Sequence, residues 1–161
     1  MHKIRQAEKA DISRMAEIEE MCFSGSEAAS LDSFQKRFSV FPDCFFVLED
    51  NDIVVGHING CIFNSPELPD ALYSDARLHC PKGDYQTVFG LAVDPQDQRR
   101  GYASALTNHF IELSKSRKHK GMVLTCKDHL IHFYQNFGFT HQGVSNSNHG
   151  GAQWNDMVLT F

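Results

Sequence analysis

Apolar positions recur along the chain in two rhythms, and the switches between them mark its elements. Ile4 to Gln6 reads as a short opening β-run. Ile12, Met15, Ile18 and Cys22 then return at helical spacing, with Asp11 near the start of that helix. A second helix begins at Ser30, places Leu31, Phe34 and Phe38 on one face, and ends at Pro42, which has no backbone N–H to continue it. Cys44 to Glu49 and Ile53 to Phe63 are dense in β-formers, and the acidic turn from Glu49 to Asp52 predicts a hairpin between them. Asn64 to Asp84 carries three prolines and reads as a long loop.

The second half continues the pattern. Tyr85 to Val93 predicts one strand. The helix that follows starts near Gly101, buries Ala103, Leu106, Phe110 and Leu113, carries Lys115, Arg117 and Lys118 at its negative end, and stops at Gly121. Met122 to Cys126 predicts a buried strand. Asp128 can cap a short helix with Leu130, Phe133, Tyr134 and Phe137 inward and Gly138 closing it. Phe139 to Gly143 and Ala152 to Phe161 supply two more strands around a polar loop at 145–151. This β-α-α-β-β-β-α-β-α-β-β order predicts a mixed sheet with helices on both faces, in one domain over 1–161.

Composition narrows the function. A net charge of −5 argues against broad nucleic-acid binding, and the positive charge is local, at Arg99-Arg100 and from Lys115 to Lys120. Met1-His2-Lys3 leads straight into polar sequence, so no secretory segment is expected, and no apolar run could span a membrane. The five cysteines (22, 44, 61, 80 and 126) form no C-x-x-C, and the nine histidines form no zinc-ligand spacing with them. Reduced thiols, a cytoplasmic location and no metal are the expectations.

The candidate chemistry lies after the apolar run Leu91-Ala92-Val93. The run breaks at Asp94-Pro95, and Gln98-Arg99-Arg100-Gly101-Tyr102-Ala103-Ser104 restarts as a helix. Backbone N–H groups and the positive end of the dipole at such a start attract anions, and small residues let a pyrophosphate approach. This stretch resembles the acetyl-CoA signature of the GNAT acetyltransferases. Phe133-Tyr134-Gln-Asn-Phe137-Gly138-Phe139 is similar to the run that closes the cofactor site in that superfamily, and Ile4-Arg5 with its acidic helix resembles the opening strand and helix. Within the superfamily the likeness points to arylalkylamine (serotonin-type) N-acetyltransferases, through Glu17 to Phe23, Ser30 to Phe34, Leu78 to Gly83 and Phe133 to Phe139. One departure stands out. Where those enzymes place two histidines before the signature, this chain has Thr87 and Phe89.

The resemblance implies an α/β fold of the α+β type, a GNAT-like, mostly antiparallel sheet of about seven strands flanked by about four helices. It implies acetyl-CoA as acetyl donor and a primary amine as acceptor, small and of the arylalkyl kind. Leu91, Ala92 and Val93 would hold the pantetheine arm through their backbone, Gln98 to Ser104 the pyrophosphate, and Phe133 and Tyr134 would close the cofactor site. Tyr134, whose phenol is protonated at neutral pH, is the candidate acid for the leaving thiolate. His79, Glu27 and Glu20 are candidate bases; Thr87 can hold a water but cannot serve as base. Phe23, Leu31, Phe34 and Phe63, with Thr87 and Phe89, could wall the amine pocket, and core packing explains the same side chains equally well. His129 and His132 read as surface residues. Two other readings stay open: a peptide acetyltransferase whose 64–84 loop binds an extended chain, and a CoA-binding module without turnover. A second copy of the chain is carried as an optional partner.

Overall fold

The computed structural model describes residues 2–147 and 149–161; Met1, and Asn148 of the predicted 145–151 loop, lie outside them. The chain runs β1 (His2–Gln6), α1 (Ile12–Cys22), α2 (Leu31–Val40), β2 (Phe45–Asp50), β3 (Ile53–Asn59), β4 (Ile62–Phe63), α3 (Ala71–Ser74), β5 (Tyr85–Val88), β6 (Gly90–Val93), α4 (Tyr102–Ser116), β7 (Gly121–Cys126), α5 (Ile131–Gln135), β8 (Thr140–Val144) and β9 (Asn155–Thr160). Two compact units share these elements, Met1–Gly60 with Gly90–Phe110, and Cys61–Phe89 with Ile111–Phe161. The expected α/β class holds, with antiparallel pairing everywhere except between β5 and β7.

The first unit carries a sheet in the order β1-β2-β3-β6. Phe45 to Leu48 are all buried, so interior β2 is a continuous apolar run rather than an alternating one. The β2–β3 hairpin turns through Asn51 (φ 52°) and Asp52 (φ 67°), two left-handed residues whose twist matches the flanking strands. Helix α1 buries Ile12, Met15, Ile18 and Glu19. At its entry Arg5 donates to both oxygens of Asp11 (2.7 and 3.0 Å), and Asp11 also accepts from the N–H of Glu8 (2.7 Å). Helix α2 is capped by Ser30, whose hydroxyl accepts from Ser33 N–H at 3.1 Å. Of the face predicted for α2, Phe34 is fully buried, but Leu31 is 42% exposed and Arg37 takes a buried place instead.

The second unit carries a sheet in the order β4-β5-β7-β9-β8. Gly121 opens β7 because a Cβ there would lie 2.2 Å from the Leu159 carbonyl oxygen. Met122, Val123 and Leu124 fill the strand's interior.

Several sequence expectations need correction. The run from Ile53 to Phe63 is not one strand: it leaves its sheet after Asn59, and Ile62–Phe63 pairs with Gln86 and Tyr85 in the other. The run from Tyr85 to Val93 likewise changes sheets at Phe89, pairing with β7 before it and β3 after it. The 64–84 segment contains α3 and a tight helical turn at Ala76–Leu78, and Tyr73 Oη lies 3.1 Å from Thr125 Oγ1. Helix α4 ends before Gly121; the reversal falls on left-handed Lys118 (φ 63°). Asp128 caps nothing with its side chain, and Oδ1 instead accepts from Asn155 Nδ2 at 2.7 Å.

Candidate functional site

Strand β6 pairs with β3 on one side only and ends its sheet. The N–H of Asp94 donates to Val55 O at 2.7 Å, which fixes the phase of the ladder. Gly90 and Ala92 therefore turn their backbone groups toward β3, and Leu91 and Val93 turn theirs to the bare edge. The Val93 carbonyl accepts from Gln98 Nε2 and from the Cys22 thiol, both at 3.1 Å.

Asp94 closes the strand. Its Oδ1 accepts from the N–H of Gln96 (3.0 Å) and its Oδ2 from Arg14 Nη2 (2.8 Å), and these bonds hold the carboxyl below the usual carboxylate range. Beyond a turn at Pro95–Asp97, Arg99 (φ 67°) and Gly101 (φ 80°) are left-handed, the second being a conformation that favours glycine. The first bond of α4 runs from Ala105 N to Gly101 O at 3.0 Å, so the N–H groups from Gly101 to Ser104 precede the ladder. Arg100 stands over half exposed, 3.4 Å from Asp50 and 3.5 Å from Asp97. Tyr102 is tied inward, its hydroxyl donating to Asp50 at 2.8 Å. That bond raises the phenol's pKa. Left-handed Arg99 and Gly101, an exposed Arg99 and small residues at 101, 103 and 104 suit a diphosphate at this corner.

On the β3 side lies a cluster that the sequence reading passed over. Glu19 is 5% exposed and His57 fully buried, with Glu19 Oε1 and His57 Nε2 3.5 Å apart. Asn59 Nδ2 lies 3.4 Å from His57 Nδ1. Glu19 Oε1, His57 Nε2 and Asn59 Oδ1 are buried without a hydrogen-bond partner. The signal was present: Glu19 sits four residues after Met15 on the buried face of α1, and His57 and Asn59 alternate along a buried strand.

The remaining candidates divide. In the second unit, Tyr134 is buried with its ring 5.0 Å from Phe133 and 5.6 Å from Phe139, and burial, with smaller contributions from Cys126 and Tyr73, drives its phenol pKa upward. Phe133 is half-buried. His79 commits Nδ1 to the N–H of Ile62 at 3.0 Å. Thr87 is fully buried and its hydroxyl donates to Cys61 O, just before β4, at 2.9 Å. The Phe89 ring lies 4.8 Å from that of Tyr73, and Phe63 is half-buried. In the first unit, Glu20 is exposed and Glu27 and Phe23 are half-buried. Phe34 packs its ring against His57 (5.5 Å) and Phe45 (6.4 Å), and Leu31 is exposed. His129 and His132 are exposed as expected. Among the described residues no group of three His, Cys, Asp or Glu could hold a metal ion, no disulfide joins the cysteines, and no helix is long and apolar enough to cross a membrane.

Residues 12–139 match the model of the acetyltransferase (GNAT) family. No curated protein matches the chain at a significant level. Among solved structures, it is similar to the GphF GNAT-like decarboxylase in complex with isobutyryl-CoA (18% identity, 98% of each chain, TM-score 0.85). It is similar to a ribosomal-protein alanine N-acetyltransferase from Escherichia coli (20% identity, 99% of this chain and 94% of that one, TM-score 0.75). A GNAT family acetyltransferase from Brucella melitensis in complex with acetyl-CoA is also similar (15% identity, 100% of this chain and 88% of that one, TM-score 0.64).

Proposed function

Since the chain belongs to the acetyltransferase (GNAT) family, we propose that it moves the acetyl group of acetyl-CoA onto a small primary amine. The observation that carries this reading is the bare edge of β6 running into the Gln98–Ser104 corner. An extended pantetheine arm can pair with Leu91 and the N–H of Val93 as an added strand would, while the diphosphate takes the N–H groups at the start of α4 and the exposed Arg99. An N–H on that edge also suits the thioester oxygen, where negative charge develops as the amine attacks.

Tyr134 is the proposed acid. A phenol whose pKa burial raises stays protonated and can give its proton to the departing thiolate. We keep the acceptor general within small primary amines. The arylalkyl preference loses support because Phe34 packs in the core and Leu31 is exposed. Of the earlier base candidates, His79 has one ring nitrogen engaged and Glu20 is exposed, which leaves Glu27 as the one retained from the sequence. A cytoplasmic location and optional self-association belong to the same proposal.

The deciding experiment supplies acetyl-CoA with a panel of amines and short peptides and reads free thiol. Amine-dependent thiol release supports the reading. Release with peptides alone would move the acceptor to a polypeptide, and acetyl-CoA binding without release would leave a non-catalytic CoA module.

A further inference from the structure

We infer that Asp50, the last residue of β2, is a positioning residue that weakens the hold of the α4 corner on CoA by restraining Arg100; this rests on the reading that places the diphosphate at that corner. The corner is built to attract negative charge. The N–H groups from Gly101 to Ser104 precede the α4 ladder, and Arg99 and Arg100 stand exposed before them. Yet a carboxylate already lies against it. Asp50 Oδ2 accepts from the Tyr102 hydroxyl at 2.8 Å and lies 3.4 Å from Arg100 Nη1, so one oxygen meets the residues on either side of Gly101.

The two contacts differ in kind. The Tyr102 bond is short, its ring is buried, and His2 stacks on it with ring centroids 5.1 Å apart. That bond braces the first turn of α4 against the β2–β3 hairpin. It also holds the Asp50 carboxyl below the usual carboxylate range, so the charge is present at neutral pH. The Arg100 contact is long, and a second one, to Asp97 Oδ1 at 3.5 Å, stands beside it. A guanidinium shared between two carboxylates at the limit of hydrogen-bond distance, over half in water, is held by charge rather than by geometry. An arriving diphosphate can draw it away, but only against both carboxylates and in the field of Asp50 itself.

The sign of one substitution separates this role from a purely structural one. Asp50→Asn keeps an oxygen that can accept from the Tyr102 hydroxyl and removes the charge. If Asp50 were only a brace, weakening it would loosen the corner and CoA would bind less tightly. If it restrains Arg100, removing the charge frees the guanidinium and CoA binds more tightly.

The test titrates CoA, dephospho-CoA and pantetheine into wild type, Asp50→Asn, Arg100→Gln and the double variant by calorimetry, at about 20 mM and about 500 mM salt. For Asp50→Asn we expect the Kd for CoA to fall about three- to fivefold at low salt. Dephospho-CoA, which keeps the diphosphate, should show the same gain, and pantetheine, which has no phosphate, should show none. High salt should erase most of the gain, and Arg100→Gln should abolish it. Asp97→Asn frees Arg100 without touching Tyr102 and should act in the same direction by a smaller factor; should Asp50→Asn not fold, an unchanged CoA affinity in Asp97→Asn overturns the restraint. An Asp50→Asn protein that binds CoA no more tightly than wild type, or a gain that survives Arg100→Gln, overturns the assignment of Asp50 and leaves the diphosphate at the corner. A wild type whose CoA affinity ignores salt, or only equals its affinity for pantetheine, overturns both.

Discussion

Arg14 of α1 and Asp94 at the end of β6 meet at 2.8 Å, and the same guanidinium donates from Nε to Val54 O at 2.9 Å. One side chain thus fastens a helix to β3 and to the last residue of the edge strand. Its third contact, with Glu17, is solvent-exposed and contributes little. Arg14→Ala should lower stability by about 1 to 2 kcal/mol, since a half-buried, charge-assisted bond is lost and Asp94 keeps only its bond from the Gln96 N–H. If the edge of β6 holds the thioester, the KM for acetyl-CoA should rise in the same variant while kcat changes less. Urea unfolding and steady-state kinetics report the two effects separately.

Acid should unfasten the same region. The Asp94 carboxyl is held below its ordinary value of 3.8 by Gln96 N–H and Arg14, and that of Asp11 by Arg5 and Glu8 N–H. A carboxyl with a depressed folded pKa contributes stability that is present above the ordinary value and lost as pH falls through the folded one. Stability should therefore hold from neutral pH down to about pH 5 and decline below about pH 4. Thermal unfolding against pH should show a shallower acid decline in Asp94→Asn than in wild type.

Helix α2 offers a contrast between neighbours. Phe34→Ala empties a fully buried site against Phe45 and His57 and should cost about 3 to 5 kcal/mol. Leu31→Ala, at 42% exposure, should change stability by less than about 0.5 kcal/mol. Equal losses would show that Leu31 is covered in solution.

Tyr134→Phe removes only the phenol oxygen from a buried ring. If Tyr134 protonates the thiolate, kcat should fall at least about 100-fold while the KM for acetyl-CoA and the melting temperature stay near wild type. An unchanged kcat would reduce Tyr134 to a core aromatic beside Phe133 and Phe139.

Local chemistry made the elements legible and tertiary partners made the difference. Ser30 as a cap, the apolar run Phe45 to Leu48, and Gly138 at φ 98° after α5 all act within a few residues, where spacing and side-chain type carry the information. Nothing local in Ile62 or Phe89 tells that the strand runs change sheets there, because β-propensity is the same whichever neighbour a strand pairs with. The signature corner was readable because it is a strand end, a turn and a helix start in one stretch. The acceptor side was harder to read. Thr87 occupies a position where the resemblance suggested pocket chemistry, yet its hydroxyl serves Cys61 O. Glu19 could pass for an ordinary helix glutamate until its burial against His57 and Gly90 was seen.

The position of β9 has a consequence for biosynthesis. The four strands of the first unit's sheet have all been translated once residue 93 is made. The other sheet must wait, because β9 lies between β7 and β8 and pairs along both. Until residues 155–160 leave the ribosome, the apolar Met122–Leu124 strand and β8 each present an unmatched ladder to whatever is near. Nascent chains stalled in that interval are the species most exposed to intermolecular strand pairing and most in need of a chaperone.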